Sequence, residues 1–273
     1  VPHEIGPSAP VSALATQAVL ARTWALANSR RFKVDGYHLC SDTQCQVYKD
    51  PNKIDTEVSR AIEKTAGKVL TWDGKPISAV YHATNGGIMA SVNEAWSMDE
   101  VPYLKTNLDG SLRWIQQFSI PLKKRSTLKS FLSRRDGAYG NNHYLFRWKR
   151  KFTSNDLQKD LLNLRPNFGV PQKVNVLDRG PSGRVLALEI ISKSNELPIV
   201  LKKDGIRRIL KTLPSTLFIV EELESGNWQF VGGGFGHGSG LSQAGAIDLA
   251  LRGWSTRKIL KHYYPGTTYE SFR

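Results

Sequence analysis

"KVLTWDGKPISAVYHATNGG", residues 68–87, decides the fold class. Two β-rich runs flank Asp73-Gly74, the dipeptide that type I′ turns favour, so the stretch predicts a β-hairpin. The second run ends in a polar, glycine-terminated edge, "YHATNGG". Just upstream, "DTEVSRAIEKTAG" predicts a helix with Gly67 as its C′ residue. Before that, "VSALATQAVLARTWALANSRR" (11–31) holds six alanines and neither Gly nor Pro. It predicts a buried helix with Ser12 as N-cap, a nearly flat face at Ala18, Ala21 and Ala25, and Gln17 and Arg22 as unusual polar members. Helices beside a hairpin, without βαβ regularity, give an α+β fold.

The rest of the chain has the same character. "SNDLQKDLLNL" predicts a helix capped by Ser154 or Asn155, and "KVNVLDRGPSGRVLALEII" a second hairpin around Gly180–Gly183. "GIRRILK" predicts a short helix; "STLFIVEEL" and "NWQFVGG" predict strands. Ser242 opens a helix that closes at Gly253, and Ser255 opens the last one, stopped by Pro265-Gly266. There is no internal repeat. At 273 residues the chain has room for one large domain or two modest ones. The expected division is 1–104, a basic inserted lobe at 105–170, and 171–273. No stretch approaches the ~20 apolar residues of a membrane-spanning helix. The opening "VPHEIGP" reads as the start of a piece cut from a longer precursor.

The formal net charge of +14 is concentrated: residues 121–151 hold ten Lys/Arg against one acid, Asp136. Such a surface favours polyanions, whether nucleic acid, an anionic envelope polymer or a lipid head group, or it simply keeps the protein soluble. A nucleic-acid reading finds no helix-turn-helix or RNP pattern in the segment. An anionic polymer suits the charge better. The two cysteines, Cys40 and Cys45, offer a small disulfide loop, half a metal site or two free thiols. Export would favour the disulfide. Zinc, with His38 nearby, is the runner-up.

"GGGFGHGSGLSQAGA", residues 232–246, places His237 between alternating glycines. It fits neither the P-loop nor the dinucleotide fingerprint, and the chain has no H-E-x-x-H and no G-x-S-x-G. What remains is a backbone that allows close approach, of ligand or of another strand. Glu4, in a proline-flanked and partly apolar turn, and His82 with Asn85 are the other polar groups placed where chemistry could occur.

Together these blocks resemble the SpoIID/LytB family, stage II sporulation protein D and the amidase enhancer. The resemblance starts with "VPHEIGPSAPVSALATQAVLARTWAL". It continues through "LCSDTQCQVY", "TAGKVLTWDGKPISAVYHATNGG", "VPYL", "IRRILKTLPSTLFIV" and "GGGFGHGSGLSQAGAIDLALRG" to "ILKHYYPGT". Only residues from about 105 to 170 match weakly. The resemblance implies an exported, extracytoplasmic protein with one SpoIID-like catalytic unit carrying an inserted or second lobe. It implies a lytic transglycosylase that cleaves peptidoglycan glycan strands stripped of stem peptides, with 1,6-anhydro ends and no cofactor. The alternative it carries is a non-catalytic, wall-binding enhancer of an amidase. Glu4 maps onto the catalytic glutamate. Gln17, Arg22, Tyr81, His82, Asn85, His237, Ser242 and Gln243 map onto substrate-binding positions. Gln44 stands where some members have a zinc-binding histidine. As general acid, Glu4 would have to keep its proton near neutral pH, which calls for shelter from water.

Overall fold

The computed structural model describes residues 1–41, 45–46, 56–194, 196–224 and 226–272. Helices are mixed with short, mostly antiparallel sheets, and the fold is α+β. The chain forms two compact units, each discontinuous along the sequence. Segment 105–170 shares one of them with residues up to Ser239.

The first unit comprises Val1–Ala83, Pro102–Leu104 and Gly240–Arg273. Its centre is the helix Val11–Ala27, buried without a break from Ala13 to Leu20. A helix of small and apolar residues on every side has no solvent face to offer, and burial follows. Its N-cap is Pro10, not Ser12, and no side chain caps it. The Pro10 carbonyl already takes the Ala13 and Leu14 N–H groups, so Ser12 lies inside the first turn. The helix stops at Ala27, short of the expected Arg31, where the Asn28 side chain turns back to the Trp24 carbonyl at 2.9 Å. The helix Thr56–Lys64 turns Val58 and Ala61 inward, into a core with Ile5, Leu14 and Ile247.

The hairpin of 68–87 forms only in part. Lys68–Trp72 pairs with Lys75–Pro76 around Asp73 and Gly74, whose φ values of 53° and 72° make the expected turn. Pro76 has no N–H to give, and one more bond, from Ile77 N–H to the Leu70 carbonyl, ends the ladder. The chain then leaves. Tyr81–His82 pairs instead, in parallel, with Leu241–Ser242, while Thr268–Ser271 takes the other edge of Lys68–Trp72. Helices Gln243–Leu251 and Thr256–Tyr263 start at Ser242 and Ser255 as the sequence predicts, each cap oxygen accepting a backbone N–H.

The second unit comprises Thr84–Val101 and Lys105–Ser239. One antiparallel sheet has the order Phe218–Glu224, Asn227–Gly232, Trp148–Thr153; the other has Pro171–Arg179, Val185–Ser192, Ile199–Lys202. The second contains the expected hairpin around Gly180–Gly183. Helix Ser154–Leu161 is capped by Thr153, not by Ser154 or Asn155. Only that register puts Asp156 at the third position, where it closes a capping box with Thr153. Two cores fill this unit, one around Phe152, Phe218 and Trp228, the other around Trp114, Phe131 and Phe146.

Candidate active site

In the first unit, Glu4 sits in the single helical turn Pro2–Ile5, half-buried. The Tyr81 hydroxyl lies 3.3 Å from Glu4 Oε1 and 3.2 Å from Gln46 Oε1. Gln46 is fixed through its amide, which donates to the Ala21 carbonyl at 3.0 Å. Gln17, fully buried in the long helix, accepts from Gln243 Nε2 at 3.4 Å. Burial, then the charge and hydrogen bond of Glu4, push the Tyr81 phenol well above its ordinary value, while the Gln17 amide works weakly against them. Tyr81 is therefore a neutral hydroxyl at any physiological pH. Of the expected residues, Glu4, Gln17, Tyr81 and Gln243 form one polar chain, and Gln46 joins it.

Local structure explains the assembly. Parallel pairing of Tyr81 with Leu241 brings the start of helix Gln243–Leu251 alongside Tyr81. The Tyr264 hydroxyl locks that junction by accepting from Leu241 N–H at 3.1 Å and donating to the Val80 carbonyl. Ser242 serves as N-cap through its bond from Gly245 N–H. His82 is buried, and strand alternation puts it on the side away from Tyr81. Arg22 is turned to the carbonyls of Thr65 and Lys68, both at 2.7 Å, and so ties its helix to the start of the first strand. Cys40 and Cys45 form a disulfide with Cα atoms 5.6 Å apart; Gln44 lies outside the described residues. Among the described residues, no three His, Cys, Asp or Glu side chains gather as a metal site.

The remaining expected residues belong to the second unit. Asn85 is fully buried: its amide donates to Asp109 Oδ2 at 2.6 Å and its Oδ1 accepts from Gly87 N–H. His237 packs its ring on Trp96, centroids 4.6 Å apart. Its Nδ1 accepts from Ser239 N–H at 3.2 Å, which puts the proton of the neutral ring on Nε2. The glycines around it are explained by the close approach of the protein's own atoms. At Gly234 (φ +83°) a Cβ would meet the Thr84 carbonyl at 2.7 Å, and at Gly238 it would run into the Arg184 guanidinium. Arg184 is fully buried and donates to the carbonyls of Asn85 and Ile88. Nothing in the sequence marked Gln46, Trp96 or Arg184. Gln46 follows Cys45 and could have been read as part of that motif.

A family model described as stage II sporulation protein, SpoIID, matches residues 1–72, and one for a domain of unknown function, DUF8618, matches 90–240. The amidase enhancer of Bacillus subtilis (strain 168) is 30% identical across 100% of this chain, which spans 40% of that protein's length. Stage II sporulation protein D of Bacillus amyloliquefaciens is 29% identical over 93% of the chain and 67% of its own length. The chain belongs to the SpoIID/LytB family. An uncharacterized protein of Brachyspira hyodysenteriae is 27% identical over 97% of the chain and 63% of its length. The family model thus covers Glu4, Gln17 and Gln46, and the unknown domain covers His237. The names of these relatives refer to an amidase and to sporulation. No helix among the described residues is long and apolar enough to cross a membrane.

Proposed function

We propose that the protein is a lytic transglycosylase acting on peptidoglycan glycan strands outside the cytoplasm, with Glu4 as its one acid/base. The carboxylic acid gives its proton to the oxygen linking N-acetylmuramic acid C1 to N-acetylglucosamine, and that C1–O bond breaks. The muramyl C6 hydroxyl closes onto C1, and its proton passes to the Glu4 carboxylate. The products are a 1,6-anhydro-muramyl end and a free N-acetylglucosamine hydroxyl; no water is consumed. The nucleophile belongs to the sugar, so the carboxylate pair of ordinary glycosidases is not needed.

The observation that carries this reading is the Tyr81 hydroxyl set between two acceptors, Glu4 and Gln46, at near-equal distances. One hydrogen cannot serve both well. While Glu4 holds its proton, Tyr81 donates to Gln46 and accepts from Glu4; once Glu4 has given it up, Tyr81 can turn to the carboxylate. Because burial keeps the phenol neutral, Tyr81 supports both states of the acid without titrating itself. Gln243, half-buried, presents its amide to the same cluster, suited to sugar hydroxyls and acetamido groups, and the fully buried Gln17 behind it accepts from that amide at 3.4 Å.

A relative named amidase enhancer supports a second reading, in which the protein binds wall glycan and stimulates a separate amidase. Incubation with denuded glycan strands and mass spectrometry of the products separates the two. The enzyme reading expects 1,6-anhydro ends from the purified protein alone. Glycan binding and faster amidase turnover without any new ends would establish the enhancer.

A further inference from the structure

A groove of about 520 Å³ in the second unit is lined by Lys123, Arg125, Val176, Asp178, Arg179 and Val220, among others. Arg179 is only 9% exposed, and its Nη1 donates to the carbonyls of Gly183 and Phe218. Those acceptors fix the guanidinium without neutralising it. Its Nε and Nη2 have no acceptor among the described residues and are not sealed from solvent, so a preset pair of donors remains available in the groove wall. Burial first, then the nearby charge of Arg125, lowers Arg179 to about 10, which leaves Arg179 cationic at neutral pH.

The charge is not balanced locally. Among the described residues, no carboxylate lies within 4.0 Å of a Lys123, Arg125 or Arg179 nitrogen. Glu221, which feels the Arg125 charge more weakly, is paired with Lys129 at 3.1 Å. Asp178, the groove's acid, accepts the Arg179 backbone N–H at 2.7 Å. The helix Arg125–Leu132 has no acid in its first turn. Three cations held against one carboxylate repel each other unless an anion joins them. A fixed guanidinium fork with a flexible lysine beside it suits phosphate oxygens. The rest of the lining is Asn175 and the aliphatic Val174, Val176, Leu177 and Val220, with no ring on which a base could stack.

We propose that this groove binds a base-free phosphodiester polyanion of the polyol-phosphate class, with Arg179 as the fixed phosphate clamp and Lys123 and Arg125 as mobile counter-charges. The proposal is independent of glycan cleavage. The test is fluorescence anisotropy with a labelled glycerol-phosphate oligomer, read across a salt series, beside a thymidine oligonucleotide of equal charge. The double variant Lys123→Ala/Arg125→Ala changes exposed side chains; Arg179→Lys keeps the charge and removes the fork. The oligomer binds the unmodified protein, the double variant weakens it by about tenfold or more and flattens the salt slope by about two, and Arg179→Lys weakens it by a similar factor. Thermal melting accompanies each variant, and if Arg179→Lys unfolds, the double variant alone decides between the outcomes. No oligomer binding at low salt, or unchanged affinity in the double variant, would overturn the proposal. So would equal or tighter oligonucleotide binding through the same residues, which would assign the groove to nucleic acid.

Discussion

Tyr81 shows how much one side chain can carry. Its hydroxyl is the link between Glu4 and Gln46, and its phenol is held neutral by burial and by the glutamate's charge. Tyr81→Phe leaves the ring's packing intact and removes that link, so turnover on denuded strands is expected to fall by about 10–100-fold with an unchanged circular dichroism spectrum. Wild-type turnover in this variant would make the hydroxyl a bystander. At the cysteines, thiol titration of the native protein is expected to find no free thiol, and metal analysis no bound zinc; two titratable thiols with stoichiometric zinc would reverse that assignment. Glu4, Gln17, Tyr81 and Gln243 could be singled out in the sequence because each stands in a block that carries the family resemblance. Arg184 was not, because its worth lies in carbonyls nearly a hundred residues away, at Asn85 and Ile88. Trp96 likewise gains its meaning from His237, far along the chain.

At the scale of elements, helices and their starts followed local chemistry where a side-chain oxygen could cap, as at Ser242 and Ser255. Sequence reasoning slipped where two caps competed. Thr153 outranked Ser154 because of Asp156, and Pro10 outranked Ser12 because its carbonyl was already engaged. The first hairpin misled for another reason: its continuation found a better partner in Leu241–Ser242, a parallel pairing that no local pattern announces. The glycine ribbon yields a test of close approach. Thr84 and Phe235 exchange backbone hydrogen bonds at 3.2 and 2.7 Å, and Gly234 lies against the Thr84 carbonyl. Gly234→Ala is expected to cost about 3 kcal/mol or more in urea unfolding, from φ strain plus the clash. Gly253→Ala has a similar positive φ (+79°) but open space around it, and is expected to cost only about 1–2 kcal/mol. Equal costs would mean that the ribbon is not closely packed.

For the whole molecule, the α+β class was readable from alternating patterns, whereas the two discontinuous units were not. Which segments gather into one unit depends on pairings such as Lys68–Trp72 with Thr268–Ser271, separated by most of the chain. Buried phenols give the molecule an alkaline limit. Tyr81 and Tyr264 are raised above the ordinary 10.0, both chiefly by burial. A folded-state value above the unfolded one means stability fully present below about pH 10 and lost as pH rises beyond it. The urea midpoint is therefore expected to hold up to about pH 9 and to fall steeply above about pH 10, less so in Tyr81→Phe. A midpoint unchanged across that interval would show that these phenols ionise freely in the folded state. The role of Glu4 is read out by comparing Glu4→Gln with the unmodified protein on denuded glycan strands, counting 1,6-anhydro-muramyl ends by mass spectrometry over time. Such ends are expected to accumulate with the unmodified protein and to vanish with Glu4→Gln, although the variant still binds the strands. Anhydro ends appearing at the same rate from both proteins would remove Glu4 from the chemistry.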